Sequence, residues 1–492
     1  MAALAKAEKT ETPPAKLKES AKLGLMALTA LVVGSMIGSG VFSLPQNMAK
    51  GASPGAAFIG WLITGVGMLA LVMVFRNLSM RKPNLDAGPY AYARAGFGEF
   101  IGFNAAWGYW LSAWLGNVSY AVLVFGTLGH FFPVFGSGNT WQAIVAASVA
   151  VWAIHFLILS GVRQAAIVNA VTTLAKLIPI YVFIVIVLVA FNLKTFTLDF
   201  WGTGTPALGD ILAQVKSTML VTLWVFIGIE GATVVSARAV KRTDIGRATV
   251  IGFVITLATY LMISLLAFGI MSQPQLAALP DTASMASILG KIVGPWGDGF
   301  IRLGLLISVF GAYLSWTLFA SEIPFRAAEK GTFPAFFGKR NSKGSAVNSL
   351  WITNGLIQLF LIVTLFSNST YTALFYIAST AILVPYVFSG GYAMKLAITG
   401  ETYTGKGSMA GDLIAGLIAT IYGCWLIYAA GPAYLLMCAI LYVAGLPFYV
   451  MARSGKEEKM FTPFEAALAV GLVIAAVVAA WLMWNGTINP LG

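Results

Sequence analysis

The hydrophobic residues of this 492-residue chain fall into long runs, and polar residues gather in the short segments between them. A helix that crosses a bilayer needs about 20 consecutive apolar residues. Thirteen runs come near or exceed that length, which predicts an all-α polytopic membrane protein. The predicted spans are Leu23–Met48, Pro54–Leu78, Gly96–His130, Thr140–Leu159, Ala165–Phe191, Ile211–Ser236, Thr249–Met271, Gly299–Phe325, Ala346–Phe366, Tyr371–Lys395, Asp412–Ala429, Pro432–Met451 and Phe461–Trp484.

Two of these runs are interrupted by glycines. The first contains Gly34-Ser-Met-Ile-Gly-Ser-Gly40, and the sixth contains Trp224-Val-Phe-Ile-Gly-Ile-Glu-Gly231. Lipid offers no hydrogen-bond partners, so unwound backbone is tolerated only where it faces protein, water or a ligand. Because the breaks lie five spans apart, they predict two inverted repeats of five spans, each with a broken first helix. The alternative for Gly34 and Gly38 is a GxxxG helix-packing face.

The helix ends at these breaks indicate a chemistry. The second half of span one begins near Ser39 and Gly40, and its free N–H groups carry partial positive charge that suits a carboxylate. The first half of span six ends near Phe226 and Ile227, and its free carbonyls suit an ammonium group. Together the two ends predict a site for the zwitterionic part of an α-amino acid, and therefore an amino-acid transporter.

Composition and charge support a membrane protein and exclude other classes. Hydrophobic residues make up 59% of the chain and charged residues only 10%, whereas soluble domains carry about 25% charged residues. The net charge of +12 raises the alternative of nucleic-acid binding. However, 24 of the 30 Lys and Arg residues fall in the N-terminal tail and in alternate loops. That distribution follows the positive-inside rule, which predicts a cytoplasmic N-terminus and removes the support for nucleic acid.

The predicted organisation has no soluble domain. It begins with a disordered cytoplasmic tail, residues 1–22. Two repeats follow, residues 23–191 with helices one to five and residues 211–397 with helices six to ten. The chain continues with helices eleven and twelve in residues 411–452 and helix thirteen in residues 461–485. Cys424 and Cys438 lie in apolar runs and fit neither a disulfide framework nor a metal site. No hydrolase elbow, phosphate loop or metal-ligand cluster is found in the sequence, so neither an enzyme, a cofactor nor a metal is expected.

Three motifs carry a resemblance to a known family. Gly38-Ser-Gly-Val-Phe42 in span one, Ala87-Gly-Pro-Tyr-Ala-Tyr92 after span two and Trp224 to Glu230 in span six resemble the signatures of the amino acid–polyamine–organocation (APC) superfamily. Within it, the chain most resembles the basic amino acid antiporters, the arginine/ornithine and arginine/agmatine exchangers. The resemblance covers the first twelve spans, and a thirteenth resembles the arginine/ornithine branch. It implies the LeuT-like fold, in which spans one to five and six to ten are inverted repeats.

The resemblance also implies roles for ten residues. Ser39 and Gly40 bind the substrate carboxylate, and the carbonyls of Met36 and Ile227 take its ammonium group. Trp224 covers the bound substrate as an outer gate, and Trp316 of span eight stacks on a guanidinium and is a second gating residue. Ser112, Ala113, Asn117 and Ala378 line the side-chain end of the site. The arginine/agmatine exchangers have a serine in place of Ala378, so the preferred side chain stays open.

Two ionisable residues lie deep in predicted spans. Glu230 is either a proton-responsive group that couples protonation to movement of span six or a hydrogen-bonded structural acid. Lys176 in span five resembles a lysine that replaces a sodium ion beside unwound span one in sodium-independent members of the superfamily. The alternative is that Lys176 snorkels to an interface.

The first functional hypothesis is exchange of basic amino acids, such as arginine for ornithine, across a bacterial inner membrane by alternating access. The second is proton-coupled uptake of one basic amino acid, such as lysine. A channel is a third reading, against which the two broken helices argue. The expected partners are cationic amino acids and membrane lipid. The oligomeric state is left open, with a homodimer as one option.

Overall fold

The computed structural model describes residues 23–85, 88–234, 239–366, 370–403, 408–456 and 459–488. The predicted cytoplasmic tail, residues 1–22, lies outside these ranges, as does Ala87 of the motif after span two. Within the described ranges the chain is helical, with two isolated bridges as its only pairing of extended backbone. The predicted all-α class is confirmed.

Twenty α-helices follow one another along the chain. Their bounds are α1 Leu25–Met36, α2 Gly40–Ala49, α3 Pro54–Arg81, α4 Pro89–Phe97, α5 Glu99–Gly129, α6 Trp141–Ser160, α7 Val162–Ala190, α8 Leu193–Thr197, α9 Ile211–Phe226, α10 Gly231–Val234, α11 Arg242–Ala267, α12 Gln273–Ala277, α13 Ser284–Val293, α14 Pro295–Glu329, α15 Val347–Val363, α16 Thr370–Ala381, α17 Leu383–Thr399, α18 Met409–Val443, α19 Leu446–Arg453 and α20 Pro463–Trp484.

These helices differ in number from the thirteen predicted spans. In the described part of the chain, ten helices are long and apolar enough to cross a membrane, and the bent pair α1–α2 makes an eleventh. One of the ten, Met409–Arg453, has 45 residues, about 68 Å at 1.5 Å per residue, which is more than two crossings of a 30 Å hydrocarbon core. It leaves helical geometry at Gly431, where the sequence predicts the cut between spans eleven and twelve. With α7 as span five, the helices accommodate all thirteen predicted spans.

The packing of the helices has an internal symmetry. Spans one and six are α1–α2 and α9–α10, and span ten is α16–α17. Contacts between the repeats have counterparts in which every span number is shifted by five. Span three (α5) packs on span ten, and correspondingly span eight (α14) packs on span five (α7). Span two (α3) packs on span six, and correspondingly span seven (α11) packs on span one. Spans three and eight, two and seven, and four and nine are also in contact. Each of these pairs joins a span to its own counterpart in the other repeat. Because each repeat holds an odd number of spans, the second is inverted relative to the first. This pattern supports the proposed repeat boundaries at 23–191 and 211–397.

Burial separates a central group of helices from peripheral ones. The apolar stretch of α5 is 89% buried and that of span six is 72% buried, whereas only 6% of α20 is buried. The two broken spans and α5 therefore form the centre of the bundle. Helix α20 lies at the edge, where it packs on α18.

Candidate substrate-binding site at the two helix breaks

Span one is interrupted between Met36 and Gly40. Helix α1 ends at Met36, α2 begins at Gly40, and the two axes differ by 47°. The three residues between them include Gly38, whose lack of a side chain lowers the cost of leaving the helix. The break lies within the predicted stretch Gly34–Gly40, and α2 begins where the sequence predicts it, whereas α1 continues two residues past Gly34.

Span six is interrupted between Phe226 and Gly231. Gly228 has a φ of 108°, which residues with a side chain rarely adopt. A β-carbon on Gly228 would also lie 2.8 Å from the carbonyl oxygen of Ser35. The Ser35 hydroxyl donates a hydrogen bond to the Gly228 carbonyl at 2.8 Å. The two breaks therefore touch each other directly, and only glycine fits at this contact.

Lys176 of α7 holds the break of span one. Its side chain is 1% exposed, and its Nζ donates hydrogen bonds to the carbonyls of Gly34 at 2.6 Å and Ile37 at 2.5 Å. The ammonium group thus occupies the position of a cation beside backbone oxygens that the broken helix leaves without intrahelical partners. The side chain does not reach an interface.

Tyr260 of α11 joins the two breaks. Its hydroxyl lies 2.9 Å from the carbonyl oxygen of Met36 and 2.8 Å from that of Val225. Because a phenol has one proton, it can donate to only one of these oxygens at a time. The Met36 carbonyl retains a second lone pair, which is available to a substrate ammonium group.

A small cavity lies beside the breaks. Its volume is about 10 Å³, and it is lined by Ser112, Ala113, Gly116, Tyr120, Trp224, Ile227 and Trp316. Five of these seven residues belong to the predicted site. The volume is below the range of about 300–1,000 Å³ that is usual for ligand sites. An amino acid can therefore enter only if a wall residue moves.

Trp224 is the wall residue in closest contact with the break. A β-carbon on Gly40 would lie 2.7 Å from Cδ1 of Trp224, so the start of α2 must be a glycine for the indole to lie there. The indole stacks on Phe375 of α16 at 5.7 Å and meets Tyr120 edge-on at 6.0 Å. Trp224 of span six therefore packs against spans one, three and ten and forms part of the cavity wall.

Four residues of the predicted site carry buried polar atoms that have no hydrogen-bond partner within the described residues. They are the hydroxyls of Ser39 and Ser112, Oδ1 of Asn117 and Nε1 of Trp316. Buried polar atoms in folded proteins are almost always paired with protein, water or ligand. Two of these residues, Ser112 and Trp316, line the cavity, where a polar ligand could supply the missing partners.

Two predicted residues lie behind the cavity wall. Asn117 donates from Nδ2 to the hydroxyl of Thr317 at 3.2 Å and so joins span three to span eight. Ala378 of α16 is fully buried and does not line the cavity. Both are near the site in the fold, but direct contact with a substrate would require rearrangement.

Glu230 lies at the far side of the second break and is fully buried. Its Oε2 accepts hydrogen bonds from the Tyr386 hydroxyl at 2.8 Å and from the Gly228 N–H at 3.3 Å. Its Oε1 has no hydrogen-bond partner among the described residues. The carboxyl group therefore ties the break of span six to span ten, and its ionised form is only partly stabilised.

Sequence reasoning missed several residues of the site. Gly116 and Tyr120 follow Ser112 at intervals of four, so they share one face of α5, and this spacing could have been used to find them. Tyr260 and Phe375 had no comparable signal. They lie on other spans, and their rotation toward the breaks depends on the packing of the whole bundle.

The chain matches the amino acid permease family over residues 23–475. It is similar to the arginine/ornithine antiporter of Pseudomonas aeruginosa, with 50% identity over 95% of this chain and 98% of that protein. It is also similar to the putative arginine/ornithine antiporter of Escherichia coli K12, with 47% identity over 94% of this chain and 99% of that protein. An L-lysine transport protein of Corynebacterium glutamicum is 42% identical over 96% of this chain and 97% of that protein.

The matched range contains both helix breaks and every residue of the cavity wall. A bundle of membrane-spanning helices with two broken spans around a small central cavity is the architecture expected of a transporter of this kind. The chain belongs to the amino acid permease family.

Proposed function

We propose that the protein is a secondary transporter that exchanges basic amino acids, with arginine for ornithine as the leading pair. The observation that carries the proposal is the meeting of two helix breaks beside a cavity walled by Trp224 and Trp316. One break presents the N-terminal end of a helix and the other the C-terminal end of a helix. This is a complementary pair of charges for a zwitterion.

The backbone binds the part that all α-amino acids share. The N–H groups at Ser39 and Gly40 receive the carboxylate, because they begin α2 and have no intrahelical acceptors. The carbonyls of Met36 and Ile227 receive the ammonium group. Ile227 lines the cavity, and no hydrogen bond to its carbonyl is found among the described residues.

The side-chain end of the cavity favours a cation. An indole face attracts a guanidinium or ammonium group by about 0.5–2 kcal/mol, depending on how far the group is desolvated. Trp316 supplies such a face, and the Ser112 hydroxyl beside it can accept a hydrogen bond. Asn117 and Ala378, behind the wall, would adjust the length of side chain that fits.

Lys176 makes a sodium ion unnecessary in this proposal. Its ammonium group already supplies a positive charge to the carbonyls of Gly34 and Ile37. Exchange is therefore driven by the gradients of the two amino acids.

Alternating access needs a barrier on each side of the site. Trp224 with Phe375 and Tyr120 forms the barrier toward the end of α2. On the other side of the break, Glu230 with Tyr386 joins span six to span ten. With the N-terminus in the cytoplasm of a bacterial cell, as the Lys and Arg distribution predicts, the Trp224 barrier faces outward.

A second candidate is proton-coupled uptake of one basic amino acid, such as lysine. It is favoured by Glu230, a buried acid without a cationic partner among the described residues, and by the similarity to a protein named for lysine transport. In this candidate Glu230 carries the proton, and no internal amino acid is required.

Counterflow in proteoliposomes separates the two candidates. Vesicles are loaded with ornithine, lysine, arginine, agmatine or buffer alone, and the uptake of labelled arginine is measured. Exchange predicts fast uptake only with an internal basic amino acid and no response to an imposed pH gradient. Equal uptake into empty vesicles under a pH gradient would reject exchange in favour of proton coupling.

A further inference from the structure

The segment between spans seven and eight covers the outer half of span one. It contains the short helices α12 and α13. Ser284 at the start of α13 bonds the backbone of α2, since its hydroxyl donates to the Phe42 carbonyl at 3.3 Å and accepts from the Gln46 N–H at 3.3 Å. The Ser43 hydroxyl of α2 donates to the Thr282 carbonyl at 3.2 Å. The segment is thus held over the outer end of the site.

Asp281 lies in this segment, next to Thr282. Its Oδ2 accepts a hydrogen bond from the Thr372 hydroxyl of α16 at 3.1 Å. The residue is partly exposed, and no Lys, Arg or His pairs with it within the described residues. Asp281 is therefore an accessible negative charge where the outer ends of spans one and ten meet.

The other acids on the same side of the bundle already have partners. Asp298 pairs with Arg302 at 2.7 Å and with His130 at 3.1 Å. Asp210 caps α9 by accepting a hydrogen bond from Ala213. Asp199 accepts hydrogen bonds within its own turn. Asp281 differs from Asp298 in having no cationic partner among the described residues, and from Asp199 and Asp210 in lying next to the contact of Thr282 with α2 and in bonding α16.

An aromatic ladder leads from Asp281 to the cavity. Tyr371, the neighbour of Thr372, packs on Phe375 at 5.5 Å, and Phe375 stacks on Trp224 at 5.7 Å. Tyr371 is 2% exposed, and its hydroxyl has no hydrogen-bond partner among the described residues. That hydroxyl lies beside Ser39 at the break of span one. We call Asp281, Thr372, Tyr371, Phe375 and Trp224 the outer approach path.

We propose that Asp281 is an outer binding site for the cationic group of an incoming basic amino acid. The inference rests on the proposed function, since only a cationic substrate gains from it. Asp281 attracts the cation at the surface. Tyr371 and Phe375 are buried, so their rings offer it weak cation–π contacts only once the outer barrier around Trp224 has opened. Attraction to an exposed charge is weak and is screened by salt, so it allows capture and release rather than tight binding.

This role acts on one face of the membrane only. A substrate that arrives from the cytoplasm meets the Glu230 side first and does not pass Asp281 before it binds. Removal of the charge at Asp281 therefore weakens capture from outside and leaves capture from inside unchanged.

The test compares Asp281→Asn with Asp210→Asn, which removes one negative charge from the same side while asparagine retains the helix cap. The KM for arginine is measured on intact cells for the outer face and on inverted membrane vesicles for the inner face, at low and high salt. We expect D281N to raise the outer KM about threefold to tenfold at low salt, with a smaller effect at high salt. The inner KM should stay constant, and D210N should behave as the wild type.

Two further variants separate charge from structure. Asp281→Glu keeps the charge and should retain most of the wild-type outer KM. Thr372→Val removes the hydrogen bond but not the charge, and its outer KM should stay within twofold of the wild type. Equal values for D281N and D210N, an equal change on both faces, or a T372V effect as large as that of D281N would overturn the proposal. Absence of arginine exchange in the wild type would instead overturn the proposed function, and this inference with it.

Discussion

The contact of Lys176 with the first break gives the sharpest prediction. Replacement by methionine keeps the length and most of the volume of the side chain but removes the ammonium group. Nζ of Lys176 donates to Gly34 at 2.6 Å and to Ile37 at 2.5 Å, and both carbonyls are buried. The variant K176M therefore leaves two buried acceptors without their donor.

The magnitude follows from these two bonds. An unsatisfied buried acceptor costs about 1–3 kcal/mol, so the break loses about 2–6 kcal/mol of stabilisation. Part of this loss is offset in the free energy of folding, because the variant no longer has to desolvate a buried ammonium group. The offset does not restore the geometry of Ile37, which directly follows Met36 and lies two residues before Ser39 of the predicted site. If the free energy of arginine binding becomes less favourable by only about 1.4 kcal/mol, the Kd for arginine rises tenfold.

The assay is arginine binding by calorimetry and ornithine-driven arginine uptake, both in sodium and in choline buffer. We expect the wild type to be indifferent to sodium and K176M to bind arginine at least tenfold more weakly. Lys291→Met is the matched control, because Lys291 also donates to a carbonyl, that of Ile270 at 3.5 Å, but at an exposed position. A K176M protein that binds arginine within twofold of the wild type would refute the role of Lys176.

Three further substitutions test other parts of the site. Glu230→Gln keeps the size of the side chain but cannot ionise, so the pH dependence of transport should flatten; an unchanged profile would leave Glu230 with a structural role only. Trp316→Leu should raise the KM for arginine about twofold to thirtyfold through the lost cation–π contact, whereas Trp141→Leu, an exposed position, should not. Gly228→Ala adds backbone strain of about 1–3 kcal/mol and a close contact with the Ser35 carbonyl, so it should lower the melting temperature. Gly355→Ala is the control, because Gly355 has open space around it. Equal melting temperatures for the two variants would contradict the strain argument.

The positions of the breaks could be predicted because the reason for them is local. In lipid, a run of apolar residues must be helical. Glycines with a serine in the middle of such a run indicate where the helix is interrupted. The predicted ends near Ser39 and Phe226 agree with the helix bounds in the structure. The residues that share a face of α5 with Ser112 could also have been predicted, since their positions depend on helical spacing alone.

The partners of the breaks could not be predicted in this way. Lys176 and Gly34 are 142 residues apart, and Tyr260 and Met36 are 224 apart. Whether such residues meet depends on the rotation of each helix about its own axis. In a bundle whose helices are apolar on most faces, hydrophobic periodicity does not fix that rotation.

The sequence by itself therefore determined the class of the protein, the approximate positions of its spans, the two breaks and their opposite partial charges. Each of these follows from the lipid solvent acting on a short stretch of chain. Only the tertiary structure decided which side chains surround the breaks, with Tyr260 across both of them and Phe375 stacked on Trp224. The physical reason is that these contacts join distant segments, and close packing of all the spans sets them together.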